Sequence, residues 1–139
     1  MTERPKDIRG FEYDWLACDA SGHVGFFSTA GGGYAPDELL EDTDAFDQAI
    51  DAILAAPATT RARFAPHVAA GHGNTWRQMA ERGLYAYDSD PQGGPYRLVA
   101  APEVAASVSG LPVQAAGVIR RVVFRDLRFV ELTEVTGRG

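Results

Sequence analysis

The stretch Tyr13-Asp14-Trp15-Leu16-Ala17-Cys18-Asp19-Ala20-Ser21-Gly22-His23-Val24-Gly25-Phe26-Phe27-Ser28-Thr29 constrains the fold more than any other part of the chain. Asp19 suits the first position of a type I turn, and Gly22 suits the left-handed residue that closes a three-residue loop. That turn sets a register in which Asp19 faces His23, Ala17 faces Gly25, Trp15 faces Phe27 and Tyr13 faces Thr29. The opposite face carries Cys18 with Val24, Leu16 with Phe26 and Asp14 with Ser28. Both faces are apolar near the turn, whereas a hairpin with one wet face alternates apolar and polar residues. The expectation is a hairpin inside a sheet, with helices on one side and loops or a partner on the other.

The second strand runs out into Gly31-Gly32-Gly33-Tyr34, and Pro36 then opens a short helical turn over 37–41. Asp42 or Thr43 caps a longer helix over 44–55, where Phe46, Ile50, Ile53 and Leu54 recur at helical spacing. Pro57 ends it. Weak periodicity with Pro66, Gly71 and Gly73 reads as loop. Asn74 is an N-cap residue for a helix over 75–82 with Trp76, Met79 and Ala80 buried. Gly83 takes the left-handed position after that helix, and Leu84 closes onto Met79.

Residues 84–88 and 96–100 form a second hairpin across the turn Asp90-Pro91-Gln92-Gly93. Segment 102–126 is ambiguous: Pro112 suits a first helical turn, and 118–124 reads as helix or strand. Alternation over 127–135 predicts a final strand. The expected fold is α+β in one domain spanning 1–139, with a mainly antiparallel sheet built from two hairpins and a C-terminal strand, and two or three helices packed on it.

At 139 residues the chain is long enough for one proper core. Its single cysteine, Cys18, excludes an internal disulfide and points to a reducing compartment. The polar first residues carry no secretory signal, and no apolar run is long enough to span a bilayer, so a cytoplasmic location is expected. The net charge of −6 is unevenly spread. Residues 1–56 hold 12 acids and 3 bases, a balance of −9, while residues 57–139 hold 7 acids and 10 bases, a balance of +3. Nucleic-acid binding needs a basic footprint, and only Arg120, Arg121, Arg125 and Arg128 offer one, without aromatic interleaving. Nucleic acid and membrane are therefore not expected as partners.

The glycine run precedes a helix start, where backbone amides hold phosphates. It lacks the lysine and hydroxyl of a P-loop, and Asp37 and Glu38 beyond it repel an anion. Cys18 and His23 point to opposite faces, which rules out a Cys–His nucleophile pair, although Asp19 is placed to orient the His23 imidazole. His67 and His72 sit five apart with no third ligand nearby, so no metal is expected, and no cofactor motif is present. Tyr34, Tyr85, Tyr87 and Tyr96 read as half-buried packing, a residue type also enriched at interfaces.

The acidic run Asp37, Glu38, Glu41, Asp42, Asp44, Asp47 and Asp51 contains no lysine or arginine. Like charges three or four apart destabilise a helix, and a basic partner would relieve that. These seven residues are the expected partner-binding surface of a non-enzymatic protein that takes a basic protein partner. The alternative is a small enzyme or ligand-binding domain with a pocket near Gly31–Tyr34, using His23 or His72 as acid–base group.

The run from Tyr13-Asp14-Trp15 through Asp19, Gly22-His23, Gly25 and Phe27-Ser28-Thr29-Ala30-Gly31 to Pro36 resembles a type of small uncharacterised bacterial protein. So does Trp76 with Ala80, Gly83-Leu84-Tyr85 and Tyr87-Asp88. Some proteins of this kind are similar to immunity proteins of toxin systems. The resemblance covers about residues 12–100 and implies a binding role; it contains no catalytic signature from which a site residue follows.

Overall fold

The computed structural model describes residues 14–29, 35–65, 74–89, 95–131 and 134–135. Strands β1 (Asp14–Asp19), β2 (Val24–Ser28), β3 (Ala62–Phe64), β4 (Tyr85–Asp88), β5 (Tyr96–Pro102), β6 (Val123–Phe124) and β7 (Glu134–Val135) form one sheet. Among the described residues four helices accompany it: α1 (Asp37–Glu41), α2 (Thr43–Ala55), α3 (Asn74–Ala80) and α4 (Val113–Ile119). The class is α+β, and the sheet is mixed.

The strand order is β3-β5-β4-β2-β1-β6, with β7 paired to the other end of β5. β1 runs antiparallel to β2, with Trp15 opposite Phe27 and Ala17 opposite Gly25. β4 and β5 are antiparallel with an irregularity between Ala86 and Tyr87. The expectation of a mainly antiparallel sheet is corrected at two joins. β2 lies parallel to β4, and β1 parallel to β6. The reason is connection length: α1, α2, β3 and α3 intervene between β2 and β4, and a crossover of that size permits parallel pairing. The expected final strand is also corrected. Phe129–Glu131 is a 3-10 turn, and among the described residues of this segment strand pairing is found at Glu134–Val135.

Local rules explain the helix boundaries. The Asp42 side chain accepts from the Ala45 N–H at 3.1 Å and caps α2. Phe46, Ile50 and Ile53 are buried beneath it, with Leu54 partly buried at the edge of the core. After α3, Gly83 adopts a φ of 93°. The Leu84 N–H donates to the Met79 carbonyl at 3.1 Å and the Gly83 N–H to the Ala80 carbonyl at 3.0 Å, closing a Schellman motif. Asn74, read as an N-cap, stands as the first residue of α3.

The two-sided apolarity of β1 and β2 has a direct counterpart in the layers. α2 and α4 pack on β1, and α3 packs on β3, β4 and β5. Leu16, Cys18, Val24 and Phe26 share one face by strand parity. The other face carries Trp15, Phe27, Tyr87 and Tyr96, and the C-terminal segment seals it with Phe124 and Phe129. Trp15 stacks on Phe27 at 4.1 Å and Phe27 on Tyr87 at 5.1 Å. The Trp15 Nε1–H donates to the Tyr96 hydroxyl at 3.1 Å. Such ring pairs add about 0.5–1.5 kcal/mol each beyond burial. Gly25 makes room for this layer, since a Cβ there would lie 2.7 Å from the Phe27 ring and 3.0 Å from Phe129.

Candidate functional site: the acidic face of the first two helices

α2 buries one side, so its polar residues are forced to the other. Asp44, Asp47, Gln48 and Asp51 are all exposed, and at 100° per residue the three aspartates fall within about 60° of arc. The clustering has an electrostatic consequence at Asp47. Partial burial first, then the neighbouring charges of Asp44 and Asp51, raise its carboxyl above the ordinary aspartate value.

α1 adds Asp37 and Glu38 in its first turn, where they complement the helix dipole, and Glu41 at its end. Asp42 is different. One carboxylate oxygen caps α2, and the other meets Arg121 at 3.6 Å, with both side chains nearly half exposed. Asp42 is thus committed to the fold and receives compensation from the C-terminal half. Among the described residues Asp37, Asp47 and Asp51 form no ion pair. Nor do three or more acidic, histidine or cysteine side chains converge there as metal donors do. Arg128 pairs at 4.0 Å with Glu131 rather than with the acidic face.

Asp19 does not orient the His23 imidazole as its position opposite His23 led us to expect. Asp19 is 3% exposed. Its Oδ1 accepts from the backbone N–H groups of Ser21 at 2.8 Å and His23 at 2.9 Å, and its Oδ2 accepts from the Phe129 N–H at 2.8 Å. The carboxylate therefore holds main chain, not imidazole. The reason is geometric: an aspartate at the first position of a turn reaches its own turn amides before a cross-strand side chain. His23 Nδ1 is buried without a hydrogen-bond partner among the described residues, and its ring lies 6.1 Å from that of Tyr85.

Sequence reasoning missed Asp19 as the clasp between the β1–β2 turn and the C-terminal segment. Its turn position signalled the two local bonds; the third spans 110 residues and has no local signal. Cys18 is buried, and desolvation followed by the Asp19 charge raises its thiol pKa. Tyr85, Tyr87 and Tyr96 are packing residues of the core. The glycine loop Gly31–Tyr34, His67 and His72 lie outside the described residues.

No helix among the described residues is long and apolar enough to cross a membrane. No family model, curated protein or solved structure matches the chain.

Proposed function

We propose that the protein is a non-enzymatic, cytoplasmic binding protein whose acidic face takes a basic protein partner. The surface centres on Asp44, Asp47 and Asp51, with Asp37, Glu38 and Glu41 beside it and Asp42 at its border with Arg121. The observation that supports this reading is the placement of Asp44, Asp47 and Asp51 on one exposed stripe of α2, where partial burial first and then the two neighbouring like charges raise the Asp47 carboxyl. Crowding of that kind costs the isolated fold stability. A cationic partner converts the cost into attraction and steers the encounter. Neutralisation of a toxin, an immunity-like role, is the particular form of this reading that the resemblance implies.

The alternative enzyme or small-ligand reading is less well supported. Asp19 spends both oxygens on backbone amides, so it does not orient His23 as a general base, and the glycine loop and His72 lie outside the described residues.

The test is a photo-crosslinking residue at Gln48, exposed within the stripe. The reading expects capture of a basic protein, lost when Asp44, Asp47 and Asp51 are reversed to lysine and weakened as salt rises. Capture indifferent to both charge reversal and salt removes it.

A further inference from the structure

A cavity of about 340 Å³ opens where the ends of α2 and α3 meet the segment leading into α4. Ile53, Ala56, Thr59, Arg82, Leu111 and Pro112 help line it. Its volume falls in the range of small-molecule sites, and the lining residues other than Thr59 and Arg82 carry no polar side chain. Ile53 points to the side of α2 roughly opposite Asp44, so the cavity is independent of the acidic face.

Arg82 is half-buried and held firmly. Its Nε donates to the Ala56 carbonyl at 2.9 Å, one Nη to the Gln78 carbonyl at 2.8 Å and the other to the Leu54 carbonyl at 3.3 Å. These bonds use three of the five N–H donors of a guanidinium. Among the described residues it forms no ion pair. The carbonyls that hold it carry only partial charge, about half a unit at the end of a full-length helix. Leu54 and Ala56 stand at the C-terminal end of the thirteen-residue α2 and Gln78 in the seven-residue α3, so what meets the guanidinium is the partial charge of helix ends and not a carboxylate. The arginine thus keeps positive character and two unused donors beside a cavity lined, Thr59 apart, by residues without polar side chains.

We propose that this cavity binds a small monocarboxylate bearing a short apolar chain, with the carboxylate on Arg82 and the chain against Ile53, Ala56 and Leu111. A cationic ligand meets the arginine charge. A purely apolar one leaves the donors unpaired. A phosphate needs a denser set of N–H groups than this lining supplies.

The experiment is an NMR shift titration with hexanoate and, as its neutral counterpart, hexanamide. Saturable shifts should cluster on Ile53, Ala106, Leu111 and the Arg82 side chain, with hexanoate at least about tenfold tighter, as a charge-assisted bond in a half-dry site implies. Leu111→Trp fills the cavity while leaving Arg82 in place and should abolish binding of both compounds. Arg82→Gln should reduce hexanoate to the hexanamide level. If loss of its three carbonyl contacts unfolds that variant, the acid-to-amide ratio and Leu111→Trp decide the matter. Equal affinity for acid and amide, shifts that survive Leu111→Trp, or no saturable shift overturns the proposal.

Discussion

Replacing Asp19 with alanine should cost about 4 kcal/mol of folding stability, a large share of the roughly 5–15 kcal/mol available to a domain of ordinary stability. The magnitude follows from the fates of the three amides the carboxylate holds. The Phe129 N–H is buried, its bond to a charged acceptor is worth about 1.5–3 kcal/mol, and nothing replaces it. The Ser21 and His23 amides lie in a partly exposed turn where water can reach them, so each loses about 1 kcal/mol. Asp19→Asn should lose roughly half as much. Its oxygen still serves the turn amides, while its NH₂ group faces the Phe129 donor. Urea unfolding, followed by the fluorescence of Trp15 and Trp76 and by circular dichroism, measures both variants. Amide exchange at Phe129 should accelerate selectively, because the clasp joins the turn to the segment that seals the aromatic layer. A loss below about 1 kcal/mol for Asp19→Ala, with Phe129 still protected, would refute the reasoning.

Three further outcomes follow from packing and ionisation. Gly25→Ala should destabilise by about 1–3 kcal/mol in denaturant titrations, because its Cβ would press on the Phe27 and Phe129 rings. Gly83→Ala should lose about 2–4 kcal/mol by the same assay, combining a left-handed backbone at φ 93° with a Cβ 2.5 Å from that of Ala106 and 2.6 Å from its backbone nitrogen. The Cys18 thiol, buried and with its pKa raised, should resist iodoacetamide at neutral pH in the folded protein and react once urea unfolds it.

Much of the fold was legible because local chemistry wrote it. Gly22 and Asp19 set the turn register, Asp42 capped α2, and Gly83 with Leu84 closed α3. The apolar residues on both faces of β1 and β2 announced a sheet covered on each side. Other features lie in contacts between distant segments. Parallel pairing of β2 with β4 depends on a crossover whose path no periodicity encodes. Alternation over 127–135 looked like a strand, yet Phe129 is drawn onto the aromatic layer and its amide onto Asp19, and tertiary packing overrides the local pattern there. The acidic face was readable from composition and helical spacing. The pairing of Asp42 with Arg121 was not, since it joins residues from opposite ends of the charge gradient. The cavity beside Arg82 was equally hidden, being formed by the ends of elements far apart in the chain.

The account stands on like charges that α2 carries at the expense of its own stability. The direct measurement is urea unfolding of Asp47→Asn/Asp51→Asn against the natural sequence at low salt and neutral pH. Two like-charge pairs one turn apart predict a variant more stable by about 0.4–1 kcal/mol, a difference that salt screens away. Because folding raises the Asp47 carboxyl, the folded chain binds its proton more readily than the unfolded chain does. The burden is therefore present at neutral pH and lifts as pH falls through the raised folded value toward the ordinary aspartate range, so the two proteins should converge on acidification. A variant no more stable than the natural sequence at low salt would contradict the account.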